Sequence, residues 1–535
     1  MRQEKQETEE QNFFTHTLDC GLRIICAQSP TQVVYAGLAV DAGTRDESDS
    51  ESGMAHFTEH MSFKGTPRLS ARQVSARMES VGGDLNAYTG KEETFFYTTF
   101  LRQHLDRAVR LLTDMVLHST FPQDEMVKEA EVVIEEIQCY DDQPAELIYD
   151  DFESVIFGEH PLGRSILGRA DRLRQLTSAD MHAFHSRMYR PERMVLFVMG
   201  QIDPHEVVRL AEREMLRYGI EKPSAQPIPR LAPSFCIPPS QPIIHREKGT
   251  HQAHVLMGAP AYPATDPRYM HLFMLNNLLG GPCMSSRLNI ALRERYGLVY
   301  AVESTTMCHS DSGHWCLYFG CSPHDVKRCL KLVNKELLRL TDAPLSKRSL
   351  DALKQQMKGQ LAVAGDSFEN AAIGMAKRFL HYGTTRTLKQ IFERMDSITP
   401  EDLHHTAQEI FLPERMLDSK DELCRYTAKA CIRAISRMLG ENEVSLTRNG
   451  TPIRFTIYHF RLFCKAFAIH TNPEMCRQHT SHQIEYLYSM KTIEFIVSKI
   501  CENPETIIPD LQKVTKPLNN ESINSMVFIE YKYSI

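Results

Sequence analysis

Residues 53–66 read "GMAHFTEHMSFKGT", with two histidines four apart and a glutamate directly before the second. On a helix, His56 and His60 lie about 40° apart, and Glu59 falls about 60° to the other side of His56. All three fit one face, while Met54, Phe57 and Met61 form an apolar stripe that can anchor the helix in a core. Two imidazoles at i and i+4 can bind one zinc ion at about 2.0–2.1 Å. Glu59, beside them but not binding, could accept a proton from water activated by the metal. This is the inverted H-x-x-E-H arrangement of certain zinc peptidases. The plain alternative is a solvated helix face carrying two coincidental histidines.

A catalytic zinc needs a third protein ligand and an open fourth position. The helical stretch "DEMVKEAEVVIEEIQCYDD" (124–142) offers Glu129, Glu131, Glu135 and Glu136. Glu129 and Glu136, seven apart, share one face and could supply a ligand and a partner that orients a ligand. A charged helix surface has the same spacing, so periodicity does not choose among the four.

With 535 residues the chain is too long for one core. Hydrophobic residues at 42% and charged residues at 24% fit a globular protein. A net charge of -7 without a dense Lys/Arg block argues against nucleic acid or an anionic membrane as partner. The acidic, polar start "MRQEKQETEEQNFF" has no apolar segment of a secretory signal, and no apolar run approaches the roughly 18 residues of a membrane span. The expected location is the cytoplasm. Fourteen cysteines without a C-x-x-C pair are then expected to be mostly buried thiols.

The chain repeats itself. "LTSADMHAFHSRMYRPERM" (176–194) aligns without a gap to "ITPEDLHHTAQEIFLPERM" (398–416), matching at Thr177/Thr399, Asp180/Asp402, His182/His404 and the shared ending. Duplicated domains follow. A catalytic domain at 11–221 is joined by a proline-rich linker, 222–243, to a second domain at 244–416, each of α+β character. The first copy ends in the strand-like "MVLFVMG" (194–200). The second runs on into a polar, helix-like stretch, so its closing strand is missing where it should stand. Residues 417–535 are an unassigned tail. They include strand-like "FTIYHFRLFCKAFAIH", helix-like "QIEYLYSMKTIEFIVSKICENPE", and His470, Cys476, His479 and His482 in no justifiable zinc spacing.

"SGMAHFTEHMSFKGT", then "VGGDLNAYTGKEETFFY", then "EVVIEEIQCYDDQP" resemble the pitrilysin/insulinase family of inverted zinc peptidases, over about residues 13–416. The closest resemblance is to its two-domain branch, which includes the mitochondrial processing peptidase β subunit and bacterial relatives. The resemblance implies two homologous α/β-roll domains, one zinc ion per chain held by His56, His60 and Glu136, and Glu129 as the acid behind a ligand. Glu59 becomes the general base. Asn86 and Ala87 match an edge strand that pairs with substrate backbone by β-augmentation; without the resemblance Asn86 reads equally well as a turn residue beside Gly82–Gly83. In "GGPCMSSRLNIALRERYGLVYAVES" (280–304), Arg293 and Tyr300 match residues that bind the substrate carbonyl and its developing oxyanion.

The second half carries "YMHLFMLNNLLGG" where the first has its histidines, and so reads as a degenerate copy that supports substrate. With two domains rather than four, the resemblance implies a homodimer, or a heterodimer with a related chain, in which Arg293 and Tyr300 complete the other subunit's site. A zinc endopeptidase for unfolded peptides is the leading reading. A non-catalytic or partner-dependent subunit is the rival, favoured by the missing strand. Against the missing strand, the tail could supply a substitute.

Overall fold

The computed structural model describes residues 13–220, 230, 243–247, 251–411, 443–448, 451–456 and 527–532. The first domain builds one sheet from β1 (Phe13–Thr17), β2 (Arg23–Gln28), β3 (Val33–Val40), β4 (Asp84–Thr89), β5 (Thr94–Leu101) and β6 (Met194–Gly200). Their spatial order is β1-β2-β6-β3-β5-β4, which leaves β4 on an edge. Its helices are α1 (Met54–Ser62), α2 (Ala71–Glu79), α3 (Leu105–Leu117), α4 (Gln123–Asp141), α5 (Pro144–Phe157), α6 (Ala170–Leu173), α7 (Ser178–Met188) and α8 (Pro204–Arg217).

A second sheet is formed by β7 (Ile243–Glu247), β8 (Ala253–Ala261), β9 (Val299–Cys308) and β10 (Gly313–Cys321), with helices α9 (Arg268–Gly280), α10 (Val326–Asp342), α11 (Lys347–Gly365), α12 (Phe368–Tyr382), α13 (Leu388–Ser397) and α14 (Pro400–Ile410). β11 (Glu443–Arg448) and β12 (Thr451–Thr456) form a separate hairpin. The last strand, β13 (Val527–Lys532), returns to the second sheet, whose order is β7-β13-β8-β10-β9.

β13 is the substitute for the missing closing strand. In the first sheet β6 lies between β2 and β3, parallel to one and antiparallel to the other. In the second, β13 lies between β7 and β8 with the same two senses of pairing. The sheet of the second domain therefore draws on the expected tail as well as on residues 244–416. Of the other expectations for the tail, the strand-like run overlaps the described residues only at the end of β12. The helix-like run and His470, Cys476, His479 and His482 lie outside the described residues.

The duplication shows in local chemistry too. Thr177 caps α7 and Thr399 caps α14, each through a reciprocal box with Asp180 or Asp402 at the third helical position. Every residue of β6 and β10 is buried. Such continuous apolar strands, without alternation, require cover on both faces of the sheet. Each domain supplies its own helices to one face and lends a helix to the other domain. α12 packs Ala372, Met375, Ala376 and Phe379 against Ile25, Phe95, Val195 and Phe197 of the first sheet. In return α5 packs Ile148, Phe152 and Ile156 against Leu256, Cys316 and Tyr318 of the second. Eight cysteines lie among the described residues as thiols, five of them buried, as the thiol reading expects.

Polar groups tie the same contact. Arg45 bridges Glu92 at 2.6 Å and Asp311 at 2.6 Å, and the Ser310 amide donates to Glu92 at 2.7 Å. Beside it Glu93 accepts from His381 at 2.9 Å and pairs with Lys377, both on α12. Burial works to raise the Glu93 carboxyl, but His381 and Lys377 outweigh it and hold it down at about 2.

Two outcomes follow. Deleting residues 524–535 should separate β7 from the second sheet, lower the melting temperature and create dye-binding apolar surface; an unchanged melt would remove β13 from the core. Because Glu93 is depressed when folded, its contribution is full above its ordinary value of 4.5 and is lost as pH falls toward about 2. Glu93→Gln should therefore melt below the wild type at pH 7, with the gap narrowing between pH 4.5 and 2.5.

Candidate metal centre

The helix that carries the two histidines starts at a glycine because it must. Gly53 takes φ +88°, and a Cβ there would come within 2.9 Å of the Leu167 carbonyl. Glu47 then satisfies the open end of α1, accepting from the amides of Gly53 at 3.0 Å and Ala55 at 2.8 Å. Met54, Phe57 and Met61 are fully buried in the first core, as their stripe requires.

The other face is not a solvated one. His56 and Glu59 are each 8% exposed, and the His56 and His60 rings meet edge to face at 4.6 Å. Across from them, α4 brings Glu136. Its Oε2 lies 3.9 Å from His56 Nε2 and 3.8 Å from His60 Nε2. The Glu136 side chain keeps 46% of its surface, so the cluster opens to solvent on that side. Of the four candidate glutamates, Glu136 alone joins both histidines. Glu131 pairs with Arg174 on the surface.

Glu129, two turns earlier on the same face of α4, accepts from His60 Nδ1 at 2.9 Å and is held in turn by Lys64. That bond fixes the tautomer and leaves the His60 Nε2 lone pair facing Glu136. Burial lowers His56 to about 3, helped by the nearby His60, so its ring is neutral at pH 7. For His60, burial pulls downward but the Glu129 hydrogen bond and the surrounding carboxylates raise it overall. Burial raises Glu59, opposed by a hydrogen bond from Thr89 Oγ1 to its Oε2 at 2.5 Å. Two imidazole nitrogens and a carboxylate converging at one open point fit zinc, which takes N and O donors and, in catalytic sites, keeps a position free.

Asn86 and Ala87 lie on the exposed edge strand β4, so the turn reading of Asn86 does not hold. The Asn86 amide donates to Asp84 at 2.6 Å. Arg293 and Tyr300 stand in the second domain. The guanidinium sits 6.0 Å from the Tyr300 ring centroid, and Tyr300 is 80% exposed on β9, not in a strand core. Neither belongs to the His56–His60–Glu136 cluster. At the position of α1 in the duplicated plan, α9 buries Met270, Met274 and Leu275, and its His271 is bonded to Thr406 at 3.2 Å. Lys64, Thr89 and Glu47 were not singled out in the sequence. Thr89 shares a strand face with Ala87 under the period of two, the one signal that could have found it.

Two duplicated α/β units with a helical H-x-x-E-H on the first describe a zinc-protease class of fold and site. The description "Insulinase (Peptidase family M16)" matches residues 23–170, and "Peptidase M16 inactive domain" matches 175–357. The chain belongs to peptidase family M16. It is 31% identical over 410 residues to the uncharacterized zinc protease YmxG of Bacillus subtilis, covering 75% of this chain and 96% of that one. It is likewise 31% identical to the uncharacterized zinc protease SCO5738 of Streptomyces coelicolor, over 74% of this chain and 86% of the relative. In fold it resembles a protease from Helicobacter pylori with TM-score 0.69 and 23% identity, over 75% and 97% of the two chains. A peptidase M16 inactive domain from Pseudomonas fluorescens gives 0.66 and 20%, over 74% and 94%. Residues 419–512 match a different description, an EC042_2821-like restriction endonuclease-like domain.

Removing the Glu129 carboxylate should loosen His60. Glu129→Ala is expected to weaken zinc binding about 10–100-fold, read by competition with a chelating dye. Unchanged affinity would mean that α1 alone orients the ring.

Proposed function

We propose that the chain is a zinc-dependent endopeptidase acting on unfolded peptides. The observation that carries this reading is the convergence of His56 Nε2 and His60 Nε2 on Glu136 Oε2, with Glu59 buried beside them. His56, His60 and Glu136 would hold the metal. Bound there, zinc would supply Lewis acidity toward water and the scissile carbonyl.

The rest of the chemistry belongs to this chain's own groups. Thr89 occupies Glu59 Oε2, leaving Oε1 to take the proton of the attacking water and pass it to the departing amine. Burial raises the Glu59 carboxyl and so makes it a stronger base than an exposed glutamate. The free edge of β4 offers backbone groups at Asn86 and Ala87 to an extended peptide, which selects for unfolded substrate over sequence. The match to an inactive domain covers 175–357 and leaves α1 and Glu136 outside it, so it does not favour the non-catalytic reading.

The exposed Arg293–Tyr300 pair is proposed to serve a partner subunit's site, which makes the working unit a dimer. Among the described residues no helix is long and apolar enough to cross a membrane.

Purified chain should cleave unstructured peptides, and a zinc chelator should stop it. Glu59→Gln should lower kcat at least 100-fold while zinc content stays unchanged; cleavage that survives this change would overturn the assignment. Tyr300→Phe should also be inactive. Mixing the two inactive variants tests the shared site, since random re-pairing of a symmetric dimer should restore about a quarter of wild-type activity.

A further inference from the structure

A second group of metal-binding side chains lies away from α1, where the two domains meet. The β9–β10 hairpin brings His309 and His314 against α5, which contributes Glu153. All three are buried, at 5%, 1% and 6% exposure. One donor atom from each lies within 4.8 Å of the others. His314 Nε2 stands 3.8 Å from Glu153 Oε1, while the other carboxylate oxygen is held by Lys91 at 2.8 Å. His309 Nε2 is buried without a hydrogen-bond partner, and on His314 the ring nitrogen other than the one near Glu153, Nδ1, has none either. Such orphaned polar atoms are rare in a folded interior and call for an occupant.

We propose that Glu153, His309 and His314 form a second zinc-type metal site that fastens the β9–β10 hairpin of one domain to α5 of the other. Two imidazoles and a carboxylate are the donor set that zinc takes. The surroundings keep both rings neutral, since burial lowers them, His314 to about 4. Phe157 packs against both rings, at 5.7 Å and 5.9 Å between centroids, and Phe152 against His314 at 5.4 Å, so an apolar wall fixes their orientation.

Closing onto an ion requires the donors to draw in to roughly 3.4 Å of one another, for bonds of about 2.0–2.1 Å in a tetrahedral set. The His56–His60–Glu136 cluster, at 3.8–3.9 Å, needs a smaller movement of the same kind. Lys91 is the opposing feature. Its ammonium sits on the far oxygen of Glu153, among the charges of Asp150 and Glu47, which leaves Oε1 for the metal. A buried water bridging the same atoms is the competing occupant.

The test is metal stoichiometry in the full chain. His56→Ala/His60→Ala, stripped by chelator and reloaded with zinc, should retain one equivalent after dialysis and melt higher with zinc than without. Adding His309→Gln or Glu153→Gln should reduce the retained zinc to none and abolish the zinc-dependent shift, with the far-ultraviolet spectrum unchanged. No retained zinc in the folded double variant overturns the proposal, in favour of water. So does an equivalent that survives His309→Gln and Glu153→Gln. Should the glutamine variants fail to fold, cobalt(II) titration of His56→Ala/His60→Ala decides. Visible ligand-field bands at one equivalent without thiolate charge transfer support the site, and their absence overturns it.

Discussion

Each sheet of this protein depends on a helix that the other domain provides. Without α12 the apolar outer face of the first sheet, from Ile25 to Phe197, would stand in water, and without α5 the face of Leu256 and Tyr318 would do the same. Burial of this reciprocal kind makes the two domains one folding problem. It also explains why strands such as Met194–Gly200 carry no polar alternation at all. The exchange sets the distance between the domains, and the buried ions follow from that. Glu92 and Glu93 can lie under the surface only because Arg45, Ser310, Lys377 and His381 arrive from both sides to meet them.

That contact bears on the metal centre through one short turn. Glu92 and Glu93 close the turn that joins β4 to β5, directly before Thr94, and β4 ends at Thr89, whose hydroxyl holds Glu59. The second domain therefore grips the turn next to the strand that orients the buried base. A degenerate copy without the H-x-x-E-H pattern has in this way a mechanical part in the centre it does not contain. Its helix α9, filled with methionine and leucine, has become core.

Much of the centre was legible in the sequence because it is local. The four-residue spacing of His56 and His60 and the intervening apolar stripe fix a helix and its faces, and α1 has both faces as expected. Choosing Glu136 over Glu131 or Glu135 needed the resemblance, since all three fit a charged helix. The repeat was legible because its capping boxes, Thr177–Asp180 and Thr399–Asp402, are each written within four consecutive residues. What stayed hidden is held together across long separations. Lys91, Glu153, His309 and His314 share no pattern in the chain, and neither do Glu93 and His381. The closing strand of the second domain could be assigned to the tail but not to a segment of it for the same reason, lying far past the position where the repeat called for it.

The lateness of β13 affects how the molecule is made. During synthesis the first domain can pair β6 with β2 and β3 as soon as residue 200 is available, but β7 and β8 must wait for Val527. At about 5–20 residues per second, the roughly 115 residues after Phe411 hold that gap open for about 6–23 s. For that interval the nascent second sheet exposes two unpaired edges of the kind that recruit foreign strands. Until its own late strand fills the slot, the nascent chain carries that edge-pairing hazard.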